Sequence, residues 1–198
     1  MSSTGDGNEI NALLADIPQS GNALGNPAAP VTLEYFSDLE CPFCRDFSLD
    51  VLPAIIQRWV RTGELRIQSR ALQTATRDPD VFVAQQVAAL AAGKQDKAWH
   101  FIETFYAEQG EEGSGYVTET YLEGLASQTP HLDLPRWATD RKDPELVKEI
   151  ANDAQAAEDA GLTGTPSFLL GASGGAMRPF SPSGQASFDE AIEGLLPA

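Results

Sequence analysis

The chain has 198 residues, 42% of them hydrophobic and 21% charged, and a formal charge of −16 from 29 acidic and 13 basic side chains. That length suits one domain with its own core, or a small domain carrying an insertion. The acidic balance argues against nucleic acid or an anionic membrane surface as the main partner, and no stretch approaches the roughly 18 consecutive apolar residues of a membrane span.

The first residues, Met1 to Asn8, contain neither a basic nor an apolar leader-like region. A cytosolic protein would look like this, and so would one whose leader or anchor has been removed. The polar, glycine-bearing start favours the second reading. Residues 1–20 are expected to be a linker, partly disordered, because apolar residues are sparse before Ile10, Leu13 and Leu14. From Ile17 to Pro30 the chain is rich in Gly, Pro and Asn, so turns separate any short strand. Val31 to Phe36 reads as a central, largely buried strand.

Next comes Cys41-Pro42-Phe43-Cys44, which holds both cysteines of the chain. Pro42 suits a first helical position. Phe43, Phe47, Val51, Leu52, Ile55, Ile56 and Trp59 then recur at helical spacing, with Pro53 predicting a kink. Two thiols at i and i+3 share a helix face and can form a disulfide without moving the backbone. So small a loop gains little as a staple. The pair suits electron transfer better. Four ligands would be needed for zinc. Only His100 and His131 remain as histidines, without ligand spacing to the cysteines, so no metal is expected.

Leu65 to Leu72 predicts a second strand. Residues 79–161 are helical in pattern, with stripes at Val83, Val87 and Leu90, at Trp99, Ile102 and Phe105, and at Tyr121, Leu122 and Leu125. Asp143-Pro144 caps a further helix carrying Leu146, Ile150 and Ala154, and Gly161 is placed to end it. The acidic run Glu108 to Glu112 reads as a solvated loop. Ser167 to Leu170, a Gly-rich turn and Ala176 to Phe180 predict a hairpin, and Ser187 to Leu196 a closing helix.

This order resembles a thioredoxin fold with an inserted helical domain, and in particular the DsbA-like family of thiol-disulfide oxidoreductases, in its secreted or membrane-anchored bacterial branch. Gly25 to Leu33, leading into the first central strand, carries the likeness, as do Phe36 to Cys44 with the CxxC motif and Gly161 to Phe168 with Gly164-Thr165-Pro166. The likeness implies an α/β chain with a thioredoxin-fold domain at 21–78 and 162–198 and an inserted helical domain at 79–161.

Cys41, at a helix N-terminus, is expected to be the attacking thiol, and Cys44, one turn inside, the resolving one. Pro42 and Phe43 form the active-site dipeptide. DsbA itself has a histidine where Phe43 stands, so the charge support that an imidazolium gives a thiolate is missing here. Near the motif Asp38, Glu40 and Asp46 oppose a thiolate and Arg45 favours it, and their sum is not legible. The resemblance implies a cis bond at Thr165-Pro166, with Thr165 and Pro166 binding substrate backbone beside Cys41. Many relatives place a buried acid six residues before the first cysteine; here Tyr35 stands there, with Glu34 its neighbour. Adjacent strand residues face opposite sides, so Glu34 is expected to point away.

The resemblance further implies an extracytoplasmic, monomeric enzyme with no cofactor besides its Cys41–Cys44 disulfide. Its partners would be reduced protein or peptide substrates and a membrane protein that resets the pair. Two other readings stay open: a disulfide reductase or isomerase using the same site, and a non-catalytic binding module or holdase.

Overall fold

Strand β3 (Val31–Ser37) lies in the middle of a six-stranded sheet ordered β1-β2-β4-β3-β5-β6 in the computed structural model, which describes residues 3–197. Its neighbours are β4 (Leu65–Ala71), parallel to it, and β5 (Ser167–Ala172), antiparallel. The edges are short: β1 (Gln19–Ser20) and β2 (Ala23–Leu24) on one side, β6 (Arg178–Phe180) on the other. The turn-rich stretch from Ile17 to Pro30 therefore holds two two-residue strands. The expected hairpin forms from β5 and β6, with a shorter second arm than Ala176 to Phe180.

The Cys41 helix runs as one rod in four parts: α2 (Pro42–Asp46), a π-helical turn (Phe47–Val51), α3 (Leu52–Ile55) and a second π-helical turn (Ile56–Val60). Pro53 explains the first widening. Its nitrogen has no proton, and its ring would clash with the carbonyl four residues back. The chain relaxes by taking bonds five residues back, as from the Leu52 N–H to the Phe47 carbonyl. The break expected at Pro53 is thus a widened turn.

Between β4 and β5 come α4 (Pro79–Gly93), α5 (Ala98–Ala107), α6 (Glu119–Gln128), α7 (Leu134–Asp140) and α8 (Pro144–Asp159); α9 (Gln185–Glu193) closes the chain. Asp78, Asp133 and Asp143 cap α4, α7 and α8 by accepting backbone N–H bonds, each with proline in the first two helical positions. Asp143 also meets Lys94 at 2.8 Å. Asp143→Ala is expected to lower the urea midpoint of unfolding, nearly all of it through the lost cap because the ion pair is exposed. A urea titration measures it.

Residues 3–14 depart from the sequence expectation of a linker. They form α1 (Ser3–Leu14), which packs on α5 with Ile10 and Leu14 buried. Spaced four apart, these two share a helix face, but the partner that rewards the helix is about 90 residues away. Helix α5 is buried on every side from Ala98 to Tyr106. Its Trp99 is fully buried and donates its indole N–H to the Asn22 carbonyl at 3.0 Å, tying the helical block to the sheet edge.

Candidate active site

The site forms where β3 ends and α2 begins. Cys41 is the extended N-cap residue, with Pro42 first in the helix. The N–H groups of Phe43 and Cys44, which have no carbonyl to serve in the first turn, point at the Cys41 sulfur. Both cysteines are free thiols. Cys41 keeps 4% exposure and Cys44 none, so only Cys41 can be reached from outside. Phe43 stands out beside it at 70% exposure.

Across from α2, the loop before β5 brings in Thr165 and Pro166, joined by a cis peptide bond. The Cys41 sulfur lies 3.5 Å from the Thr165 carbonyl oxygen. The sequence-predicted residues Cys41, Pro42, Phe43, Cys44, Thr165 and Pro166 therefore meet at one place, although Thr165 is 124 positions from Cys41.

The charge balance left open by the sequence resolves towards the thiolate. Hydrogen bonds from the Cys44 thiol, the Thr165 hydroxyl and the two helical N–H groups outweigh burial and hold Cys41 down to about 6. Burial and the neighbouring Cys41 push Cys44 far up. The ultraviolet thiolate absorbance of the reduced protein is expected to titrate with a midpoint about 6. A midpoint near the ordinary thiol value of about 8.5 would show that these bonds do not stabilise the charge.

Asp38 adds no unpaired charge at the sulfur because its carboxylate is turned into the loop after β4. Oδ2 accepts the N–H groups of Thr74, Ala75 and Thr76 at 2.9 Å each, and Oδ1 takes the Thr76 hydroxyl at 2.6 Å. A second strap comes from the loop after α5, where the Gln109 amide donates to the carbonyls of Leu39 and Cys41. The acidic run is thus partly docked: Glu111 and Glu112 face solvent, and Gln109 turns inward. Neither strap was visible in the sequence, since both partners come from distant loops.

Strand β3 is regular, with no bulge between Val31 and Ser37 in its pairing. Tyr35 faces α2, fully buried, and its hydroxyl donates to the Cys44 carbonyl and meets the Tyr106 hydroxyl. Glu34 faces the other side and pairs with Arg70 at 2.8 Å, which also holds Asp153 of α8. The acid slot under Cys44 is therefore filled by tyrosine. A further buried acid, Glu103 on α5, accepts from the Ser48 hydroxyl at 2.7 Å through both oxygens. Beside Pro166 opens a groove of about 490 Å³ walled by Phe47, Val51, Leu162, Phe168, Phe180 and Phe188, with Asp46 and Asp50 at its rim.

A family model described as thioredoxin matches residues 19–192. The chain belongs to the thioredoxin family. Within it, the chain is 25% identical over 149 residues to a probable disulfide bond formation protein D of Bacillus anthracis, covering 75% of this chain and 68% of that one. The crystal structure of oxidised BdbD from Bacillus subtilis superposes with a TM-score of 0.75 at 19% identity, over 91% of this chain and 98% of that one. Alpha-DsbA1 of Wolbachia pipientis gives 0.73 at 19% identity, over 92% of each chain. At such identities the two structures establish the fold: a DsbA-like thioredoxin sheet with a helical block between β4 and β5. Among the described residues of this thioredoxin-family chain, no helix is long and apolar enough to cross a membrane, and no three His, Cys, Asp or Glu side chains are grouped to hold a metal ion.

Proposed function

We propose that this protein is a thiol-disulfide oxidoreductase that donates the Cys41–Cys44 disulfide to reduced proteins outside the cytoplasm. The asymmetry of the pair carries this reading: Cys41 is reachable and held down to about 6, while Cys44 is sealed and pushed far up. The relative named for disulfide bond formation supports it.

A substrate thiolate attacks the Cys41 sulfur, the Cys41–Cys44 bond breaks, and Cys44 takes up a proton at once because its buried charge is unfavourable. A second substrate thiolate then attacks the substrate sulfur of the mixed disulfide. The new substrate disulfide forms, and Cys41 leaves as the thiolate its hydrogen bonds favour. Two electrons pass from substrate to the pair. The groove beside Pro166 receives the extended substrate, and Thr165 offers it backbone hydrogen bonds. The pair itself is the only redox group required, the protein acts as a monomer, and a membrane partner reoxidises it.

Linkage supports this direction. A folded-state thiol pKa below the unfolded one stabilises the reduced protein at pH above the ordinary thiol value, and that stability fades as pH falls through about 6. Near neutral pH the reduced form is still favoured, which makes the disulfide oxidising. Equilibration with glutathione buffers is expected to give a potential between about −120 and −200 mV. A value near about −270 mV would assign a reductase instead, and a pair that never exchanges would leave a binding module.

A further inference from the structure

A cleft of about 590 Å³ opens between α1, the Cys41 helix and α5, apart from the groove beside Pro166. Its walls are mostly apolar: Ile10 and Leu13 of α1, Leu49 and Pro53 of the Cys41 helix, and Ala107 of α5. Leu49 belongs to the first π-helical turn and keeps 42% exposure, which gives the cleft an apolar lip. Glu103 also lines the cleft, although it is only 1% exposed, so its carboxyl lies at the floor. Among the described residues, none that lines this cleft is a Lys, Arg or His.

A carboxyl taken out of water is stable as the neutral acid or beside a cation. Among the described residues the partner of Glu103 is the Ser48 hydroxyl, whose single proton faces two oxygens at 2.7 Å each. A carboxylate can accept about four hydrogen bonds, so most of its capacity is unused. No cation offsets the burial that pushes this carboxyl up to about 8. The floor of the cleft therefore has a place for a positive charge, and its walls have room for an alkyl chain. We propose that this cleft binds a small aliphatic ammonium ion, its nitrogen against Glu103 and its chain along Ile10, Leu13 and Leu49. As the ammonium enters, the Glu103 proton passes to solvent and the carboxylate pairs with the ligand. The inference goes beyond the proposed function and involves neither cysteine.

An NMR titration of the whole protein with n-hexylammonium chloride near neutral pH tests this. Saturable shifts are expected at the amides of α1, of Ser48 to Pro53 and of Glu103 to Ala107. The uncharged n-hexanol, with the same chain, is expected to bind about ten- to hundredfold more weakly. Methylammonium, which keeps the charge and loses the chain, is expected to bind at least about tenfold more weakly. Glu103→Gln keeps the side-chain shape and removes the charge. It is expected to lose hexylammonium binding by the same factor that separates the ion from the alcohol. Leu49→Ser changes an exposed position, and is expected to weaken hexylammonium severalfold without disturbing the fold. Equal binding of hexylammonium and hexanol, undiminished binding by Glu103→Gln, or no saturable shift at the cleft would overturn the inference. No thiol takes part in these titrations. Their failure would leave the proposed function standing, and a failed exchange assay would leave the cleft untouched.

Discussion

Cys41→Ser is expected to abolish disulfide exchange, with a loss on the order of 10³-fold or more, because the remaining thiol has neither access nor charge. Cys44 is fully buried, and its pKa is pushed far above the ordinary thiol value by burial. It cannot substitute as the nucleophile. Cys44→Ala is expected to behave differently. Its Cys41 still attacks a disulfide peptide, but nothing resolves the product, so a stable mixed disulfide accumulates and is read by intact mass. Because the Cys44 thiol is the largest single cause of the low Cys41 pKa, the same variant is also expected to titrate with a midpoint well above 6. Equal exchange by wild type and Cys41→Ser would sink the catalytic assignment, whichever direction the reaction takes.

The second large effect is one of stability. Glu103 is 1% exposed, and burial pushes its carboxyl up to about 8. The Ser48 hydroxyl donates towards its two oxygens, which opposes the effect of burial without cancelling it. A carboxyl whose folded pKa lies above its unfolded value destabilises the protein as pH rises between the two. The penalty is absent below about pH 4, where both states are protonated. It then grows with pH and is complete above about 8. Glu103→Gln keeps a donor and an acceptor for Ser48 and removes the titration. The variant is expected to match wild type in acid and to exceed it above pH 8, by on the order of several kcal/mol. Guanidinium unfolding at pH 4 and pH 8.5 measures this. Parallel profiles would show that Glu103 is ionised in the folded protein.

Much of the site could be read from short motifs. The strand before Cys41 is a run of apolar residues, Pro42 marks a helix start, and the two cysteines are three apart. These are local signals, and each side chain needs only its own few neighbours to declare itself. The family resemblance brought in Thr165 and Pro166 from the far end of the chain. The same local rules placed the caps at Asp143 and the break at Pro53, though not its form. A π-helical turn depends on how the rest of the helix packs, as well as on the missing proline proton.

The residues that tune the site were not legible. Asp38 looked like a charge opposing the thiolate, and only the arrival of the 74–76 loop turns it into a clamp. Gln109 sat inconspicuously in an acidic run. Glu103 looked like one polar position among the apolar residues of α5, and its burial follows from the closure of the helical block and α1 over it. Helix α7 was missed because seven residues carry too little periodicity to stand out.

Sequence by itself determined the closely spaced cysteine pair, its place at a helix N-terminus and the side of β3 that Glu34 takes, because spacing and strand alternation are properties of the local backbone. Tertiary structure alone decided the sign of the Cys41 shift, the sealing of Cys44 and the order in α1. Each of these depends on burial or on a hydrogen bond between segments far apart in the chain. Energies of that kind exist only once the fold has brought the partners together.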